Sequence, residues 1–272
     1  MASIISRLAY ADFVDDSTTT LTASTSATNL PATNLKDNFV AQTWRATGCT
    51  DENVVIDFGS AKTPTVVAAL GHNFSSGATL TLQANATDSW GAPTYTQALT
   101  IVSDSLSDVI PKICYFPTLG ASFRYMRIRI QDSANPDTYV EMGRLWMSTY
   151  FQPTYNFDAG FTVDIIKPDQ VERPVIGGPY GRRLPSYEVV RFGWSGSGNP
   201  LPTSDRQTLE AIYRNVGLAL PILFVHDVSN NPTTSCIYGF FENEKLTRAH
   251  AGVTDYGTEG LQIREDVGWN YV

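Results

Sequence analysis

The chain has 272 residues with 42% hydrophobic and 17% charged side chains and a net charge of −8. That length suits two compact domains of about 130 residues each, or one large one. A pI of about 4.8, with no dense cluster of Lys and Arg, excludes binding that tracks a phosphate backbone, so no direct nucleic-acid partner is expected. Three cysteines, Cys49, Cys114 and Cys236, are odd in number and far apart, which argues against a disulfide framework and for reduced, packed thiols.

The opening Met1-Ala2-Ser3-Ile4-Ile5-Ser6-Arg7 has no charged region followed by a long apolar run, so no signal peptide is expected. No window approaches 18 uninterrupted apolar residues, and no membrane insertion is expected. Residues 15–35 are rich in Ser, Thr and Asn and poor in helix formers; they read as an extended strand followed by a loop that closes at Pro31.

From 40 to 150 short strands follow one another. Val54, Ile56 and Phe58 alternate with Val55 and Asp57, and Gly59 is expected to end that run. Val66 to Leu70 is continuously apolar, as in a strand buried on both faces. Leu80 and Leu82 alternate with Thr79, Thr81 and Gln83, and Met126, Ile128 and Ile130 with Tyr125, Arg127 and Arg129. Glu141 to Met147 forms another short strand around Gly143. Period-two alternation at this density predicts antiparallel sheets with one wet face.

The chain changes character at Tyr150-Phe151-Gln152-Pro153, which places the expected division at 1–150 and 151–272. Phe161, Val163 and Ile165 alternate with Thr162 and Asp164. The loop 168–185, which holds four Pro and three Gly, comes next, and then a strand from Glu188 to Trp194. The single convincing helix spans about 204–216. Ser204 and Gln207 have the spacing of a capping box, Leu209, Ile212, Tyr213 and Val216 form an apolar stripe, and Gly217 sits at the C-terminal cap. Glu210 and Arg214 stand four apart in the favourable order. Strands Ile222–His226, Cys236–Glu242 and Gly260–Glu265 complete an all-β chain with one helix in its second half.

Leu35-x-Asp37 with Thr43-Trp44-Arg45, then Val55-Ile56-Asp57-Phe58-Gly59, resembles the opening of discoidin-type, galactose-binding-like domains. Phe123-Arg124-Tyr125-Met126-Arg127-Ile128 and Glu141-Met142-Gly143-Arg144-Leu145 resemble that family's paired late strands. The resemblance covers roughly 30–148 and implies an eight-stranded jelly-roll-like sandwich. Ala69-Leu70-Gly71-His72-Asn73-Phe74 and Gly181-Arg182-Arg183-Leu184-Pro185 look like phrases in tail proteins of long-tailed phages. The strand–helix–strand layout of 187–266 is similar in outline to a tail-tube-like β-sandwich with a flanking helix. Within the sandwich, Trp44 is expected as a core wedge. Arg124 and Arg127 are expected on opposite faces, with one of them in a buried pair for which Asp57 is a candidate partner.

No catalytic constellation is visible. His72, His226 and His250 lie apart from any ligand-spaced Cys or carboxylates, so no metal is expected, and no cofactor motif appears. Gly193-Trp194-Ser195-Gly196-Ser197-Gly198 lacks the strand–turn–helix context of a nucleophile elbow. The loop aromatics Trp90 and Tyr95 are candidate surfaces for stacking a sugar. Arg173, Arg182 and Arg183 in the 168–185 loop are candidate subunit contacts. The combined expectation is a non-enzymatic structural protein of a phage tail, at the distal tail, minor tail or baseplate, assembled in the host cytoplasm. It would form a symmetric ring or collar with copies of itself (a hexamer or trimer) and other tail proteins. The alternative is a carbohydrate-binding module that recognises host-surface glycan.

Overall fold

The computed structural model describes residues 5–102, 110–157, 161–173, 175–178, 180–194, 201–230, 232–247, 249–250 and 256–268. The fold is all-β with one helix, arranged as a stack of layers. The outermost layer is a five-stranded antiparallel sheet in the order Thr20–Ala23, Glu52–Lys62, Phe123–Gln131, Thr79–Asn85, Tyr95–Leu99. Beneath it lies a three-stranded middle sheet, Arg144–Ser148, Val66–Leu70, Lys112–Tyr115. Together these make the eight strands of the expected sandwich. Its core holds Val54, Ile56, Leu82 and Ile128 from the outer sheet and Val67, Ala69, Ile113, Leu145 and Met147 from the middle one.

The large sheet comes next. Its order is Arg7–Ala9, Ile222–Val225, Cys236–Phe241, Tyr256–Glu265, Tyr187–Trp194, Thr162–Ile166, with Ala249–His250 pairing on the side of Tyr256–Glu265. Alternation along Cys236–Phe241 shows how it is used. Cys236 and Tyr238 pack on Val66, Ala68, Leu70 and Trp146 of the middle sheet. Ile237 and Phe241 face the other way, toward Leu209, Ile212 and Val216 of the helix Thr203–Val216. The middle sheet is therefore dry on both sides, and every residue of Val66–Leu70 and Arg144–Ser148 is buried. For strands 66–70, 222–225 and 236–241 this explains the continuous apolar sequence.

The strand Arg7–Ala9 lies on the N-terminal side of the expected division at 150, yet it pairs antiparallel with Ile222–Val225 and forms an edge of the large sheet. Backbone hydrogen bonds between Leu8 and Phe151 run in both directions. A buried ion pair, Lys112 Nζ to Glu265 Oε1 at 3.0 Å, joins the middle and large sheets, and Cys114 N donates to Thr233 Oγ1 at 3.2 Å. Cys114 and Cys236 are buried free thiols, and Cys49 is a partly exposed one.

Several local expectations change. Gly59 does not end its strand: the strand runs on to Lys62, and Gly59, at φ 71°, sits in a register shift between Asp57 and Lys62. Only glycine takes that conformation without strain, and Asp57 Oδ1 accepts the Gly59 N–H at 2.8 Å. The helix starts at Thr203 after Pro202 with no side-chain cap, so the Ser204–Gln207 capping box is not formed. Pro202 accounts for this by supplying a preset φ where a capping side chain would otherwise stand. Glu210 pairs with Arg206, four residues before it, at 2.8 Å. Gly217 does close the helix, donating to Tyr213 O at 2.8 Å.

Candidate functional site

Among the described residues no group of three or more His, Cys, Asp or Glu converges as a metal site. Ser195 to Gly198 and the side chain of His250 lie outside the described residues. His72 is buried, with its ring stacked on Phe74 at 4.5 Å, and its Nδ1 accepts the Phe74 N–H. Burial lowers its pKa to about 4, which keeps the ring neutral. His226 lies at the end of its strand with its ring 5.2 Å from that of Phe161, and burial lowers its pKa as well.

The richest polar surface is the wet face of the outer sheet. Arg127 lies opposite Val55 on one side and Gln83 on the other, and Gln83 lies opposite Thr96. One row along, Asp57, Tyr125 and Asn85 are neighbours, and one row the other way are Asn53, Arg129 and Thr81. The loop between Asn85 and Tyr95 folds back so that the Trp90 ring lies 4.6 Å from the Arg127 guanidinium carbon. Trp90 stays half-exposed, and its Nε1 donates to Asp88 at 2.6 Å. Arg127 Nε donates to the neutral Gln83 amide oxygen at 2.7 Å.

The two flanking arginines are held differently. Arg129 forks onto Asp51 at 2.6 and 2.7 Å, and Arg124 onto Asp57 at 2.8 and 2.9 Å. Desolvation, and then the charge of Arg129, lower the Arg127 pKa from its ordinary value, whereas hydrogen bonding to Asp51 raises that of Arg129.

Two expectations about this region are corrected. Arg124 and Arg127 are not on opposite faces with one buried. The register shift beside Phe123 breaks the alternation, so both reach the wet side, and the Arg124–Asp57 pair is a surface pair. Nor do Trp90 and Tyr95 form one platform. Tyr95 lies opposite Ala84, a core residue, so its ring turns inward. Burial and then the neighbouring Tyr115 push its pKa up to about 12. Trp90 stands on the opposite side of the sheet. The four residues 91–94 between them lie outside any strand, and the i, i+2 alternation carried back from buried Leu99 places Tyr95 inward.

Among the described residues the fully buried arginine is Arg144, which in the sequence reads only as part of a strand. Its Nη2 donates to Asp12 Oδ2 at 2.9 Å and Asp15 Oδ2 at 2.6 Å, and its Nη1 to Asp15 Oδ1 at 2.8 Å and to the Lys36 carbonyl. Burial pushes the Asp12 carboxyl up to about 7, while Arg144 and the backbone N–H groups of Met147 and Val14 pull it back. The partners lie more than 100 residues away along the chain, so no local signal marks them.

The loop 168–185 contains a two-stranded hairpin, Gln170–Glu172 with Tyr180–Arg182, all of it exposed. Arg173, Arg182 and Arg183 lie on it or at its foot and are exposed. Its apolar side chains are uncovered as well: Val175 is 103% and Ile176 91% accessible, and Val171 and Tyr180 are more than half so.

No protein-family model and no curated protein matches the chain. Among solved structures it is similar to the lectin domain of lectinolysin complexed with Lewis B antigen, at 14% identity and a TM-score of 0.39, over 52% of this chain and 98% of that one. It is also similar to the family 32 CBM of C. perfringens NanJ in complex with galactose, at 10% identity and a TM-score of 0.38, over 53% and 99% of the two chains. The CBM32 of AlyQ in complex with 4,5-unsaturated mannuronic acid matches at 24% identity and a TM-score of 0.35, over 47% and 92%.

Proposed function

We propose that this chain is a non-catalytic carbohydrate-recognition protein whose binding surface is the wet face of the outer sheet around Trp90 and Arg127. One observation carries the reading: a half-exposed indole held against a guanidinium, above a sheet face of amide, hydroxyl and phenol groups. The C–H face of a pyranose packs on an aromatic ring while its hydroxyls pair with planar donors and acceptors beside it. Asn85, Thr96, Tyr125 and Arg124 supply those groups, while buried Gln83 holds Arg127 in place. The dry layers beneath fix the strands that present them, so little ordering is needed on binding.

Glycan-array screening followed by titration calorimetry tests this. Trp90→Ala is expected to abolish binding and Tyr95→Phe to leave it unchanged, because the Tyr95 ring faces inward. Absence of binding to any glycan, or equal binding by Trp90→Ala and the parent, would overturn the reading.

A second reading is favoured by the hairpin. Contiguous exposed apolar side chains mark interaction surfaces, and Val171, Val175, Ile176 and Tyr180 are such a set. In this reading the chain is a structural subunit of a phage tail, at the distal tail, minor tail or baseplate, assembled in the host cytoplasm. The two readings are compatible, since the outer sheet and the hairpin are separate surfaces. Native mass measurement together with tail-component pull-downs checks it; a strict monomer that captures no tail component argues against it.

A further inference from the structure

The hairpin and a groove elsewhere on the chain complement each other. The groove, of about 430 Å³, lies between the segment after the first strand and the end of the helix. Trp146, Val216, Leu220 and Pro221 make its apolar wall, and Asp15 and Asn38 its polar side. Its rim is uncovered: Leu220 is 48% accessible, and the Asp15 side chain is 40% accessible despite its bond to Arg144. The Asn38 Oδ1 is a buried acceptor that no donor reaches.

Charge points the same way. Residues 167–183 carry four basic and two acidic side chains, a balance of +2, which leaves −10 on the remainder of a chain whose net charge is −8. An arm with an apolar tip and basic flanks meets an apolar groove edged by the part-exposed Asp15 on an acidic body.

Position adds the geometry. The hairpin follows Thr162–Ile166, one edge strand of the large sheet, and the groove begins at Tyr10, directly after Arg7–Ala9, the opposite edge strand. Knob and hole therefore lie toward opposite edges of one sheet, an arrangement that favours an arm filling the groove of the next copy over that of its own.

We propose that the hairpin tip of one copy, led by Val175 and Ile176, seats in the Leu220 groove of a second copy of this chain. The contact is heterologous, so repetition gives a closed ring or an open filament according to the rotation between copies. It lies apart from the sugar-binding face, and it rests on the structural-subunit reading only in taking the partner to be a like chain.

The test uses the full chain, followed by sedimentation velocity and native mass spectrometry over a concentration series. Parent protein is expected to self-associate, and more weakly as salt rises. Val175→Asp with Ile176→Asp removes the knob, and Leu220→Asp blocks the hole. All three positions are exposed, and circular dichroism checks that each variant folds. Either variant alone is expected to weaken association at least about tenfold, which is about 1.4 kcal/mol. A mixture of the two should form a dimer that grows no further, because the hole of one copy and the knob of the other remain intact. A parent that stays monomeric overturns the contact together with self-assembly. Association that survives both variants overturns the contact alone, and a mixture that stays monomeric overturns its head-to-tail geometry.

Discussion

Arg144 and Arg124 make nearly the same bond in two different layers. Each forks onto an aspartate at hydrogen-bonding distance. Arg144 belongs to the middle sheet and has no accessible side-chain surface, whereas Arg124, on the outer sheet, is 46% accessible. The difference teaches that position in the stack, rather than the identity of the pair, sets what the pair does. In the middle sheet water cannot replace a lost partner; on the outer sheet it can. The outer face is thus free to carry recognition groups, while the inner one ties residues 12–15 and Lys36 to the sheet.

The most severe way to break that contrast is Arg144→Met. It strands the Asp12 carboxyl in a dry layer, and a loss of about 3–5 kcal/mol is expected in urea unfolding. Adding Asp12→Asn should restore much of it, because the amide is uncharged and its oxygen can still accept the N–H groups of Val14 and Met147. A double variant no more stable than the single one would show that Asp12 is not the stranded charge.

Packing sharpens the contrast next. Leu70→Ala, in the core shared by the middle and large sheets, should cost about 2–5 kcal/mol. Thr81→Ala on the wet face of the outer sheet should stay within about 0.5 kcal/mol. Equal effects from the two would mean that the layers do not differ as described.

These differences were only partly legible in the sequence. Strict alternation in Val54–Phe58 and Met126–Ile130 correctly marks strands with one wet face, and unbroken apolarity in Val66–Leu70 marks a strand with none. What covers the second face of Val66–Leu70 is not written near it: Leu223, Val225, Cys236 and Tyr238 arrive from more than 150 residues later. The partners of Arg144 are hidden for the same reason. In the candidate site, Trp90 was legible as a loop aromatic, but Arg127 as its stacking partner depends on how the 86–94 loop folds back. Tyr95 reads as a loop residue because Gly91 and Pro93 are turn signals, whereas it is the first residue of the strand that sets its facing. Gly59 misled because a glycine at positive φ serves a bulge as well as a turn, and composition alone does not separate the two.

Protonation offers a third test, on the middle layer's flank. His72 titrates near 4 in the folded chain and near 6.5 when unfolded. The unfolded chain therefore binds the extra proton first, so stability should fall as pH drops from 6.5 through 4 and be fully present above 6.5. The expected loss is about 3 kcal/mol at most. The difference in unfolding free energy between the parent and His72→Phe, followed across that window, isolates this one group from the carboxylates. A difference that does not change with pH would show that His72 is not held neutral.

The smallest effect belongs to the outer pair. Arg124→Ala removes two hydrogen bonds to Asp57, but both groups remain in contact with water, so the smallest loss of stability in the series is expected, reduced further by salt. Hydrogen bonding to Arg124 also holds Asp57 below its ordinary pKa, and in the variant the Asp57 pKa, followed by NMR, should move back up. The fold should survive while the wet face loses one planar donor beside Tyr125, so glycan affinity should weaken at nearly constant stability. If Arg124→Ala destabilised the chain as much as Arg144→Met, the outer face would be serving the core, and a surface free to bind would have to be sought elsewhere.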